Sequence, residues 1–152
     1  AFNYAEAHWT IGTFDITAWA SRGVGEFPIA LWANGKIRVH EKGTSANGDS
    51  LNAYAETGLM DMKEGENHLM VRRYIPDFAN MSGSVDVSLK HRMWPQGEVS
   101  TLAIGTVTAT TDKLDFRLTA RQVGVRFDWN AVPTDGRIGR MLFDIMPTGR
   151  TR

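Results

Sequence analysis

Cysteine is absent from the 152 residues, which removes disulfide scaffolds, thiolate metal sites and cysteine nucleophiles together. Net charge is absent too, because 17 Lys and Arg balance 17 Asp and Glu. Coating nucleic acid non-specifically relies on an excess of cationic side chains, so that mode is excluded, although local basic patches are not. No run approaches the roughly 18 consecutive apolar residues of a membrane helix, and the opening AFNYAEAHW lacks the regions of a signal peptide. No membrane insertion is therefore expected. The chain also starts at Ala1 without Met, which fits a segment of a longer polypeptide.

What is present is enough for one globular β domain over 1–152. With 42% hydrophobic residues, a chain of this length buries roughly 70% of its unfolded surface on folding. No window repeats apolar residues at i, i+3, i+4 and i+7, whereas period-two alternation recurs almost throughout. The fold class is all-β: an antiparallel β-sandwich or jelly-roll-like domain of about eight strands, with an open barrel as the alternative topology. Residues 1–25 read either as a docking arm or as a first strand, since Trp9, Phe14, Ile16 and Trp19 can pack but Gly12, Gly23 and Gly25 interrupt.

In FPIALWANGKIRVHE, Asn34-Gly35 sits between two apolar runs and predicts a hairpin with a two-residue type I′ turn. That turn pairs Trp32 with Ile37 and Ala30 with Val39 on a core face, leaving Leu31 opposite Arg38 and Ile29 opposite His40. Pro28 belongs at a strand start or an edge. KGTSANGDS after Glu41 is an exposed loop. Residues 68–75 form a strand that Pro76-Asp77 ends. In SVDVSLKHRMW, Val85, Val87, Leu89 and Met93 share the buried face and Asp86, Ser88, Lys90 and Arg92 the other. STLAIGTVTATT has β propensity but few of the large apolar residues of a central strand.

Between Leu114 and Trp129 the apolar positions change parity, from Leu114, Phe116 and Leu118 to Val123, Val125, Phe127 and Trp129. A bulge, bend or change of sheet is expected near 120–122. In IGRMLFDIM, Met141, Phe143 and Ile145 share a side, and the PTGRTR tail has nothing to pack.

Reactive chemistry is thinly represented. His8, His40, His68 and His91 lie about 23 to 32 residues apart, without an HxH or HxxxH pair, so they read as separate strand histidines. Ser82-Gly83-Ser84 reads as a turn. Glu41, Glu56 and Asp77 are the carboxylates a glycosidase-like site would draw on, but nothing in their spacing pairs them. The C-terminal arginines 117, 121, 126, 137, 140, 150 and 152 alternate with Asp115, Asp128, Asp135 and Asp144. Cross-strand ion pairing accounts for this pattern, with a phosphate-bearing or acidic partner as the alternative. Trp32 and Trp129 fall on core faces. No catalytic residue, cofactor or metal site is assigned.

Several phrases in order carry a resemblance: HWTIGTFDITAW, PIALWANGKIRVHEKGT, LNAYAETGLMDM, RRYIPDF, SVDVSLKHRMWP, DFRLTARQVGVRF and GRIGRMLFDIMPTGR. Their succession, covering nearly the whole chain, resembles the C-terminal region of tailed-bacteriophage tail nozzle or tail tubular virion structural proteins. The resemblance implies the C-terminal part of a longer chain, made in the host cytoplasm and built into the virion tail. It implies a non-enzymatic subunit in a symmetric ring, touching neighbouring tail or portal-adaptor proteins and the DNA that passes on ejection. Arg150, Arg152, Arg140 and Lys42 are the expected assembly or partner contacts. A lectin-like β-sandwich that binds carbohydrate or a receptor is the competing reading, to be told apart by the exposure of its tryptophans.

Overall fold

A computed structural model describes residues 2–5, 7–61 and 67–150, with the side chains of His8 and Arg150 outside that description. Where the sequence suggested one β domain, these residues form two compact units, Ala1–Gly43 and Thr44–Arg152. All regular structure is β, in several antiparallel sheets. The expected count of about eight strands is exceeded because many of the fifteen among the described residues are only two to five residues long.

In the first unit, β1 (Phe2–Asn3) pairs with β2 (His8–Trp9), and the rings of Phe2 and Trp9 lie 5.0 Å apart. Next, β3 (Ile16–Ala20), β4 (Ile29–Trp32) and β5 (Ile37–Val39) form a three-stranded meander in that order. Pro28 immediately precedes β4 as expected, and its carbonyl accepts the His40 N–H at 2.8 Å.

The hairpin between β4 and β5 exists, but its turn is not the expected one. The Gly35 N–H donates to the Trp32 carbonyl and the Trp32 N–H to the Lys36 carbonyl, both at 2.9 Å. This closes a three-residue loop, Ala33–Gly35, in which Gly35 alone takes a positive φ, 76°. That is the pattern of a type I turn followed by a left-handed glycine. The extra loop residue shifts the register: Leu31 pairs with Ile37, Ala30 with Arg38 and Ile29 with Val39. The expected core pairs Trp32–Ile37 and Ala30–Val39 therefore do not form. Ala30 is buried and Trp32 half-buried, while Ile37 and Val39 face out.

The second unit contains β6 (Ala53–Glu56), β7 (Met60–Asp61), β8 (Asn67–Ile75), β9 (Phe78–Ser82), β10 (Ser84–Arg92) and β11 (Ser100–Thr108). It continues with β12 (Leu114–Ala120), β13 (Gln122–Trp129), β14 (Asp135–Ile138) and β15 (Leu142–Arg150). One sheet runs β11-β10-β13-β6, with β7 also on β13; another runs β12-β8-β15; β9 and β14 pair separately. The alternation of β10 works as the sequence suggests, burying Val85, Val87 and Leu89. Met93 does not join them, because β10 ends at Arg92 and Met93 is exposed.

The change of parity marks a change of sheet: β12 lies in one sheet and β13 in the other, with only Arg121 between them. Leu118 and Ala120 then meet Val125 and Phe127 in one core, closed by Tyr74, the three apolar residues of β10 and Val107. The tail buries little, since residues 147–149 are exposed, but residues 147–150 are paired, continuing β15 beside β8 with Pro147 opposite Leu69 and Arg150 opposite Asn67. Proline is tolerated there because β15 is an edge strand.

Two residues allow direct checks of this core. Gly83 joins β9 to β10 at φ 74°, and a Cβ there would lie 2.1 Å from the Pro133 carbonyl oxygen. Gly83→Ala is expected to lose about 2–4 kcal/mol in urea unfolding. Tyr74 is fully buried, and its hydroxyl has no hydrogen-bond partner among the described residues. Burial, reinforced by Asp77, pushes its phenol up to about 12. Between pH 10 and 12 the unfolded phenol ionises while the folded one stays protonated, so stability falls as pH rises through that window. Tyr74→Phe is expected to remove a loss on the order of 2 kcal/mol by pH 12, read as a flatter urea midpoint against pH.

Candidate functional site

The first unit's meander has two unlike faces. On one, the cross-strand rows Ala18–Leu31–Ile37 and Ala20–Ile29–Val39 contain six apolar residues and no charge. They are open to solvent, with Ile37 72%, Val39 52%, Ile29 43% and Leu31 37% exposed. On the other face, the Trp32 indole N–H donates to His40 Nε2 at 3.3 Å, and the two rings are nearly parallel at 6.0 Å. Phe14 meets Trp32 edge-on, Trp19 tilts against His40 at 5.0 Å, and the Arg38 guanidinium lies 4.5 Å over the Trp32 ring.

The second unit places ion pairs on two of its sheets. Glu56 and Arg126 stand opposite each other on β6 and β13. Arg126 donates to Asp128 at 2.7 to 3.0 Å and to Glu56 at 3.1 Å, and its guanidinium lies 4.2 Å over the Tyr54 ring. Lys90 reaches the other Glu56 oxygen at 2.6 Å. The Lys90 hydrogen bond is the largest influence and, against the opposing effect of burial and with help from the Arg126 hydrogen bond, holds the Glu56 carboxyl below the usual range. Asp128 and Glu56 in turn raise the Arg126 guanidinium above its ordinary value. On the other sheet Arg73 meets Asp115 at 2.5 Å and Arg72 meets Asp144 at 3.0 Å.

Both sheets of this unit end in edges, and the edges differ. β6 carries Glu56, β7 Asp61, β12 Asp115 and Arg117, and β15 Asp144 and Pro147. Such residues guard an edge against further strands. β11 has nine residues with neither charge nor proline, and no described strand pairs with its outer edge. Its lack of large apolar residues in the sequence fits this terminal place in the sheet.

The expected contact residues fall in both units. Lys42 belongs to the first unit, its ammonium 5.5 Å from the Phe27 ring centroid. Arg140 precedes β15, where its backbone N–H donates to Asp77 Oδ2 at 2.8 Å. Arg150 ends β15, so the two are separated by roughly 30 Å of extended chain. Arg152 lies outside the described residues. Of the carboxylates, Glu56 is held between two cations, Asp77 clamps the 139–140 turn, and Glu41 is exposed in the first unit. Among the described residues no three His, Asp or Glu side chains converge to hold a metal. Ser82-Gly83-Ser84 is the β9–β10 turn, as the sequence suggested. Of the five tryptophans, Trp9, Trp19 and Trp94 are exposed, set against Phe2, His40 and His68 respectively.

No protein-family model matches the chain, and no curated protein matches it either. The apolar rows were missed because the turn was assigned two residues. Ala33-Asn34-Gly35 equally suits a three-residue loop with glycine last, which would have put Leu31, Ile37, Ile29 and Val39 together.

The depressed Glu56 carboxyl contributes stability that is present above its unfolded pKa and lost as pH falls through the folded value. Glu56→Gln is expected to cost about 1 kcal/mol or less at pH 7 and to shrink the fall in stability below pH 4.5, measured by urea unfolding at pH 7 and pH 3.

Proposed function

We propose that the protein is a non-enzymatic structural subunit of a tailed-bacteriophage virion, belonging to the tail nozzle or tail tube. The observation that carries this reading is the nine-residue edge of β11, free of charge and proline, broken by one bulge at Ile104 and paired by no described strand on its outer side. A ring of identical subunits needs head-to-tail contacts between unlike surfaces, and this edge offers one half of such a contact to a different surface of the next copy. The ordered phrases that resemble tail nozzle and tail tubular proteins support the place in the tail. In that place its partners are further copies of itself in a symmetric ring, adjoining tail or portal-adaptor proteins, and DNA passing through the lumen during ejection.

A carbohydrate- or receptor-binding module is the second reading, favoured by the exposed Trp19 and Phe14 rings flanking His40. Stacking on sugar would use those faces. Mass spectrometry and cryo-electron microscopy of purified particles separate the two. A ring of this fold around the tail axis is expected. Absence of the chain from particles, with glycan binding lost in Trp19→Ala, would replace the virion reading by the second.

A further inference from the structure

We infer that the apolar outer face of β3–β5 is a self-association surface, on which the same face of a second copy of this chain packs. The inference goes beyond the ring, because a face that meets itself closes at two copies, whereas a ring joins unlike surfaces. Four observations converge on a second copy. The rows Ala18–Leu31–Ile37 and Ala20–Ile29–Val39 are in direct cross-strand register, so they form one continuous patch and not scattered exposed residues. The patch holds no charge, so it offers nothing to a partner read by electrostatics, and its own copy buries no unpaired charge against it. The opposite face of the same meander carries Phe14, Trp19, Trp32, His40 and the Arg38 guanidinium, so the aliphatic rows are the face of the meander without polar groups. The net charge of the chain is zero, so copies approach without mutual repulsion.

Area sets the strength. At the exposures given above, the four large side chains present on the order of 400 Å² per copy. Two facing copies remove about 800 Å² from water through these rows, against roughly 1,200 Å² at the small end of stable interfaces. Two sheets pack at about 10 Å with aliphatic side chains interleaved, so the contact forms but is weak. A contact of this size belongs with weak, reversible association, so the equilibrium is sought at micromolar and higher concentrations.

Sedimentation velocity of the full chain from 1 to 200 µM tests this, beside Ile37→Lys, Val39→Lys and, as an exposed apolar control in the second unit, Val99→Lys. The expected result is a monomer–dimer equilibrium in the wild type and in Val99→Lys. In Ile37→Lys and Val39→Lys it should weaken at least tenfold, with circular dichroism and melting unchanged. A monomer at every concentration would overturn the inference, as would a dimer that both lysine variants leave intact. Failure here with the chain still found in tail rings would remove only this surface. A dimer that needs Ile37, in a chain missing from particles, would remove only the virion reading.

Discussion

Between Ala120 and Gln122 the chain leaves one sheet and enters the other, and the core of the larger unit is built around that single-residue step. Alternate residues of one strand serve only one face of one sheet. Leu118 and Ala120 on one side, and Val125 and Phe127 on the other, can meet only if the chain changes layers between them. The step is held by hydrogen bonds that leave little to slip. The Arg121 N–H donates to the Arg92 carbonyl. The Gln122 side chain, 7% exposed, uses both ends of its amide, accepting from Arg92 and donating to Asp61. A buried amide satisfied this way resists any shift of register, because moving it would strand its polar atoms. Tyr74, 6.1 Å from Phe127 and 5.0 Å from Phe143, spans the space so defined.

Legibility followed the same physics. The layer change was readable because burial imposes parity on apolar residues, and Leu118 and Val125 obey opposite parities. β10 was readable for that reason too, with Val85, Val87 and Leu89 inward. The first unit was not, because its register depends on whether the β4–β5 turn holds two or three residues, and Ala33-Asn34-Gly35 satisfies both geometries locally. The pairing of residues 147–150 was not legible either. Their lack of large apolar side chains suggested nothing to pack, yet a strand can be held by its backbone ladder alone, as the Pro147–Leu69 and Gly149–His68 pairings are.

The candidate surfaces were harder to read than the core. The arginines stood out in the sequence, but which acid each one meets depends on strands distant along the chain. Arg126 finds Glu56 across β13 and β6, and Asp115 turns to Arg73 instead of a neighbouring arginine. Pairs exposed this far add little stability individually, but they occupy the polar groups and keep most strand edges closed to other strands. The outer rows of the meander and the edge of β11 stand apart from these pairs, being apolar or uncharged.

The position of β8 has a consequence for how the larger unit comes into being. It is the middle strand of its sheet, yet both neighbours lie later in the sequence, β12 from Leu114 and β15 from Leu142. Its pairing from Asn67 to Arg150 spans about eighty residues. During synthesis β8 therefore emerges with two open sides and the buried residues Leu69, Val71 and Tyr74 unshielded. Long-range pairing of this kind is slow and exposes sticky intermediates. Folding of this unit is thus tied to the arrival of its last strand, so a nascent chain halted before residue 142 carries a half-built sheet that only chaperones or proteases are placed to manage.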